Sequence, residues 1–592
     1  MKKLLKHMKG YGKECVLAPL FKMLEAIFEL FVPLIMARII DFGIGNQSQP
    51  YVLKMCGILI ALGVIGLTCS ITAQYFAARA AVGFATRLRH LLFSHVQSLS
   101  FSDMDQVGTS TLITRMTSDI NQVQNGVNMV LRLFLRSPFI VFGAMIMAFT
   151  IDVKAAMIFV VIIPLLSIVV FGIMAVSIPL YRKVQTGLDR VLKRTRENLT
   201  GARVIRAFGK EDTEFEEFQE SNQALVKMQI FVGKISALMN PVTYVMINIA
   251  LVVLIWTGAL RVNAGDISQG EVVALVNYIS QILVELIKLA NLIVTITKAL
   301  ACANRVQSVM DIEPEMPKYA SERKVNNLDC DTEAKINIPE ENNQITFEHV
   351  SLTYKGAGAE SLTDIDFEIK KGDTFGIIGG TGSGKSSVVN LIPRFYDVTK
   401  GRVLVNGKDV RDYDLNALRS KIGMVMQNAV LFSGTIRQNL LWGNPQADDK
   451  QLWEALEIAQ AKEFVEQKSK GLDEVIEQGG KNLSGGQRQR LTIARALVRK
   501  PEIIIMDDSA SALDYATDAK LRQAITNLED SMTVIIVSQR ASSVRTANQI
   551  LVLDDGAAAG FGTSDELLKT CKVYKEIYGS QFKIDKKGGA AV

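Results

Sequence analysis

Gly379-Gly380-Thr381-Gly382-Ser383-Gly384-Lys385-Ser386 follows the short apolar run Phe375–Ile378 and leads into Ser387-Val388-Val389. A strand, a glycine-rich turn and a helix start in that order match G-x-x-x-x-G-K-[ST], the phosphate-binding P-loop. The spelling has a chemical reason. Glycines let backbone N–H groups wrap a polyphosphate, and the helix start adds the positive end of its dipole. Lys385 then brings a point charge to the β- and γ-phosphates, and the Ser386 hydroxyl is a ligand for Mg²⁺.

Working outward, 592 residues are too many for one core, so at least two domains are expected. The apolar fraction of 48% and the mean hydropathy of +0.20 exceed what a soluble enzyme of this length usually carries, and the excess lies in the first half. A net charge of +6 is spread among many acids, with no basic arm and no aromatic-interleaved basic stripe, which argues against nucleic-acid binding. Six cysteines (Cys15, Cys56, Cys69, Cys302, Cys330 and Cys571) are scattered without a C-x-x-C pair, so reduced thiols are expected rather than a disulfide framework or a zinc site.

Met1 to Lys13 carries five lysines among Leu and Met and reads as an amphipathic lead-in on the cytoplasmic membrane surface, not as a signal peptide. Six apolar spans follow, at about Cys15–Ile44, Leu53–Ala80, Val130–Ile151, Val153–Tyr181, Val232–Leu260 and Val272–Ala299. Ile39 to Val52 lacks Lys and Arg whereas Arg87–Arg115 and Arg182–Arg206 are rich in them, so the long loops belong in the cytoplasm. Both read as helical hairpins, with tips expected near Ser118-Asp119-Ile120 and Arg206-Ala207-Phe208-Gly209. Glu25, Glu29, Arg38, Arg132, Arg136, Glu285 and Lys288 are charges inside spans and must face a cavity, another helix or the interface. Pro33, Pro164, Pro179 and Pro241 are expected kinks.

The organisation expected is a six-span α-helical transmembrane domain at 1–300, a polar linker at 301–343, a soluble α/β domain at 344–582 and a tail at 583–592. In the soluble part, Ile503-Ile504-Ile505-Met506-Asp507 has the form of a Walker B strand whose Asp holds Mg²⁺. Leu483-Ser484-Gly485-Gly486-Gln487 places small residues and a Ser at a helix start, a second anion-binding surface.

With a P-loop upstream, Leu483 to Gln487 resembles the signature of ATP-binding cassette (ABC) proteins. Six spans before one cassette resemble a multidrug-exporter half-transporter, over nearly the whole chain. The resemblance implies ATP and Mg²⁺ as ligands, Gly379 to Ser387 around the phosphates, and Tyr354 as the aromatic that stacks on adenine. It also implies that Gln427 touches Mg²⁺ and that Ser511-Ala512-Leu513-Asp514 is the D-loop. The family pairs two cassettes head to tail, so Ser484, Gly485, Gly486 and Gln487 serve the partner's ATP; the loop tips become coupling helices.

Two positions depart from the family pattern. Asp508 stands where a Glu polarises the attacking water, and Gln539 where a switch histidine is expected. Losing a methylene retracts the carboxylate by roughly 1.5 Å, and a misplacement of about 1 Å can cost a hundredfold in rate. The amide of Gln539 can hydrogen-bond a γ-phosphate but cannot carry a proton at neutral pH. Both changes lie on the hydrolytic side of one site, while Ser484–Gln487 is intact. The expectation is therefore the degenerate-site half of a bacterial heterodimeric exporter of amphipathic drugs or lipids in the cell membrane. A homodimeric pump, an ATP-gated channel or regulatory subunit, and an importer subunit are the alternatives.

Overall fold

The computed structural model describes residues 4, 6–314, 343–509, 512–526 and 532–582. The chain forms two units, one comprising Met1–Gln97 with Thr109–Ile312 and the other Ser98–Gly108 with Glu313–Val592.

The first unit is helical. Five helices among the described residues, Gln49–Val96, Thr109–Ile151, Val153–Thr200, Glu211–Asn263 and Gln269–Met310, are long and apolar enough to cross a membrane. The first expected span forms the 27-residue helix Gly12–Arg38, with Pro19 and Pro33 inside it. Its interspersed Lys and Glu residues keep it outside that set of five. Small residues let the helices approach closely: Ala26, Ala144, Ala156, Ala250 and Ala274 share one buried cluster with Leu30, Phe159 and Tyr278. The Tyr278 hydroxyl satisfies its buried O–H by donating to the Leu30 carbonyl at 2.6 Å.

Two sequence expectations need correction. The first hairpin does not turn at Ser118-Asp119-Ile120: Asp119 is buried and accepts from Arg305 at 2.5 and 3.0 Å and from Arg115 at 2.9 Å. The short helix in this region is Phe101–Val107. A carboxylate held by two guanidiniums fixes the middle of a hairpin, where desolvating a lone charge would be costly. The second correction concerns the linker, because the helix Gln269–Met310 runs ten residues past position 300. Residues 315–342 and 583–592, with Cys330 and Ser511, lie outside the described residues. The second tip agrees with expectation. Ala202–Ala207 is a short helix, and Gly209 at φ 59° supplies the left-handed residue before helix Glu211–Ala237. Cys15, Cys56, Cys69, Cys302 and Cys571 are free thiols.

The second unit is α/β. Its strands are β1 (Asn343–Leu352), β2 (Leu362–Lys370), β3 (Thr374–Gly379), β4 (Lys400–Val405), β5 (Lys408–Asp409), β6 (Ile422–Val425), β7 (Gly434–Thr435), β8 (Val475–Ile476), β9 (Ile503–Asp507), β10 (Thr533–Ser538), β11 (Gln549–Asp554) and β12 (Ala557–Gly562). The order β2-β1-β4-β5 makes an antiparallel sheet, and β12-β11-β3-β10-β9-β6 a mostly parallel one. β9 reads Ile-Ile-Ile-Met-Asp and is buried throughout, as a strand covered on both faces must be.

Between the sheets lies an apolar core where Phe367 stacks on Phe347 at 4.4 Å and on Phe375 at 5.1 Å. The segment Ser98–Gly108 belongs to this unit. Ser100 and Asp103 cap helix Phe101–Val107 reciprocally; the Phe101 ring lies 4.8 Å from Phe395, and the Tyr396 hydroxyl donates to Asp105 at 2.7 Å. Phe367→Ala removes the middle ring of the core stack and is expected to destabilise this unit by about 3–5 kcal/mol, read as a lower unfolding midpoint of the full chain.

Candidate functional site

Strand register builds the site. β3 and β9 both pair in parallel with β10, so Ile377, Val537 and Asp507 lie in one row, and Ser538 stands level with Ile378. The loops leaving these strands are therefore neighbours: Gly380–Gly384 after β3, Asp508 after β9 and Gln539 after β10. Open parallel sheets bind ligands at this carboxyl edge. A cavity of about 440 Å³ opens there, lined among others by Thr381, Lys385, Ser386, Gln427, Asp507, Asp508 and Gln539.

Two loop glycines are required by conformation, Gly382 at φ 83° and Gly384 at φ 93°. A Cβ on Gly384 would also meet Leu362 at 2.7 Å. The loop then enters helix Lys385–Leu391, which buries Val388, Val389 and Leu391 against the sheet. The Lys385 ammonium folds back on the loop and donates to the carbonyls of Gly379 at 3.0 Å and Gly380 at 2.5 Å. Burial pulls its pKa down, against the pull of Asp508 and Asp507. A phosphate in the loop offers that ammonium a charged acceptor, a stronger bond than a neutral carbonyl.

Asp507 is buried and accepts a hydrogen bond from Ser386; burial pushes its carboxyl above the usual carboxylate range, and the Asp508 charge pushes the same way. Asp508 adopts φ 46°, a left-handed conformation that Asp tolerates better than most residues, and its N–H donates to Val537 O at 2.9 Å. Its carboxyl is also raised by burial, offset by a hydrogen bond from Gln427 at 3.5 Å and by Lys385 and Arg540. Thr381 reaches Gln539 at 3.5 Å, and the Gln539 carbonyl accepts from Gln581 at 2.8 Å. Tyr354 lines the same cavity; its hydroxyl donates to Ser387 at 2.9 Å and its ring packs edge-on against Tyr396.

Ser484, Gly485, Gly486 and Gln487 do not line this cavity. They start helix Gly485–Val498 through a reciprocal cap between the Ser484 hydroxyl and the Gln487 amide. Residue types at the cavity that motif reading passed over are Glu360, Ser361, Asp555 and Gly556. The last two form the tight turn between β11 and β12, and the Gly556 carbonyl accepts from Thr363 N at 2.9 Å. Asp-Gly between two strands was the available signal for that hairpin. Its approach to the P-loop was not.

A P-loop at the carboxyl edge of a parallel sheet, on a chain that also carries membrane-length helices, defines a class: the membrane-bound P-loop nucleotide-binding proteins. Residues 15–286 match the ABC transporter transmembrane region family and residues 362–511 the ABC transporter family. An uncharacterized ABC transporter ATP-binding protein of Bacillus subtilis (strain 168) is 35% identical over 582 residues, 98% of this chain and 99% of that one. An ATP-dependent lipid A-core flippase of Yersinia pestis bv. Antiqua (strain Antiqua) is 28% identical over 577 residues, 97% and 96% of the two chains. The fold matches that of a bacterial Atm1-family ABC exporter with ATP bound at a TM-score of 0.76, with 22% identity over 97% of this chain and 99% of that one.

The chain belongs to the ABC transporter family. It is a multi-pass membrane protein with a cytoplasmic ATP-binding domain, and it couples ATP hydrolysis to transport.

Because burial raises the Asp507 carboxyl above its unfolded-state value, its charge costs stability at neutral pH, and that cost shrinks as pH falls below the folded-state pKa and is gone below the unfolded-state value. Asp507→Asn is expected to melt higher than wild type at pH 7 without nucleotide, the gap closing on acidification, as differential scanning fluorimetry of the full chain will read.

Proposed function

We propose that the chain is one half of a heterodimeric exporter of amphipathic compounds, with helix Gly12–Arg38 as the first of six spans. The observation that carries this reading is an asymmetry within one cassette. The hydrolytic positions hold Asp508 and Gln539, whereas Ser484–Gln487 is a complete, capped turn on another part of the surface. Such a turn can act only on nucleotide held by a second cassette. The lipid-named relative supports an amphipathic cargo.

The donors around Ser386 fit Mg²⁺. Hydroxyl, carboxylate and amide oxygens are hard ligands, and Asp507 and Asp508 beside the Lys385 ammonium leave negative charge for a divalent ion to balance. Ser386, Asp507 and Gln427 would hold it, and it neutralises phosphate charge when bound. The chain's own residues do the rest. The loop N–H groups and Lys385 bind the β- and γ-phosphates, Tyr354 stacks on adenine, and Gln539 donates an amide hydrogen bond to the γ-phosphate. Two ATP molecules favour the closed cassette pair because they bind it better than the open pair, and that difference switches the membrane helices. Helix Phe101–Val107, packed on Phe395 and Tyr396, and the tip Ala202–Ala207 carry the motion. Hydrolysis proceeds at the partner's P-loop, completed by this chain's Ser484–Gln487.

A homodimer is the second reading. Asp508 lies in the nucleotide cavity within 3.5 Å of Gln427, close enough to hold a water itself. The chain purified alone is expected to turn over ATP at least about a hundredfold more slowly than the complex with its partner. Asp508→Glu is expected to add a second hydrolytic site to that complex. Full activity of the lone chain, with only a modest effect of Asp508→Glu, decides for the homodimer.

A further inference from the structure

Four charges in the helical unit form a chain of alternating sign. Glu29 accepts from Arg136 at 2.6 Å, Arg136 donates to Glu285 at 2.7 Å, and Lys288 donates to Glu285 at 2.7 Å. Ser137 donates to the second Glu285 oxygen at 2.8 Å. The inner members are closed off, with 8% of the Arg136 side chain and 3% of the Glu285 side chain exposed. The end members are not: Glu29 is 40% exposed and Lys288 41%. Both ends, and the edge of Glu285 that Arg136 and Lys288 already neutralise, line one cavity of about 490 Å³, together with apolar Val32, Met36 and Val284 and with Gln281, whose amide oxygen is buried without a hydrogen-bond partner.

A structural ion chain needs no exposed ends. This one presents a carboxylate and an ammonium to the same cavity while summing to zero charge. In a low-dielectric site, a ligand of net charge leaves an uncompensated charge behind, whereas a zwitterion keeps the sum at zero and pairs with both ends. We infer that this cavity binds the headgroup of a zwitterionic amphiphile, its ammonium at Glu29 and Gln281 and its phosphate or carboxylate at Lys288, with the tail along Val32, Met36 and Val284. The inference rests on the transport reading above and names the class of its cargo.

The test uses the full transporter in nanodiscs without nucleotide and three probes sharing one C14 tail: lyso-phosphatidylethanolamine (zwitterionic), lyso-phosphatidylglycerol (anionic) and tetradecylammonium (cationic). The zwitterion is expected to bind about tenfold tighter than either other probe, the scale of one charge pair. Glu29→Gln lowers it to the level of the anionic probe, and Lys288→Gln to that of the cationic probe. Equal binding of all three probes to wild type, or a ranking untouched in both variants, overturns the inference; the wild-type ranking decides even where a variant fails to fold. ATP hydrolysis on the same preparation separates the two readings. Hydrolysis with no ranking removes this inference alone, and a ranking without hydrolysis under any pairing removes the transport reading instead.

Discussion

The hydrogen-bond register of three parallel strands is the constraint on which the catalytic half depends. β10 pairs with β3 on one side and β9 on the other, with Val537 level with both Ile377 and Asp507. That ladder brings Thr381 to Gln539, 158 positions apart in sequence. A shift of one residue would turn each side chain to the opposite face. β9 and β10 are buried along their whole length, so this ladder lies inside the core of the unit.

Charge is managed in the same manner in both units. In the nucleotide cavity, Lys385 and two raised carboxylates are held close together and partly dry, poised for a polyanion and its counter-ion. In the helical unit, Asp119 is closed by two arginines and Glu285 by Arg136, Lys288 and Ser137. Each buried charge has its complement. The exposed ends of such arrangements are where a ligand can take part.

The Ser98–Gly108 segment packs within the ATP-binding unit through aromatic contacts and two carboxylates, Asp105 on Tyr396 and Asp103 beside Lys355. Loop sequences of this kind carry little periodic signal. Sequence alone therefore suggests a hairpin tip near Ser118-Asp119-Ile120, although Asp119 there is among the most buried polar groups of the unit.

What could be read directly was covalently local. The P-loop, the Asp507 strand, the Ser484–Gln487 turn and the apolar spans each complete their pattern within a few residues, since glycine conformation, strand burial, helix capping and span length act over one turn or one element. The substitutions Asp508 and Gln539 were equally legible. Tertiary structure alone decided which of these share a cavity, that Ser361 and the Asp555-Gly556 turn border it, that the linker's first ten residues extend a helix, and that Glu29 and Lys288 end one ion chain. Those facts depend on strand register and helix packing between distant segments, whose energies belong to pairs of residues and leave no mark on either one alone.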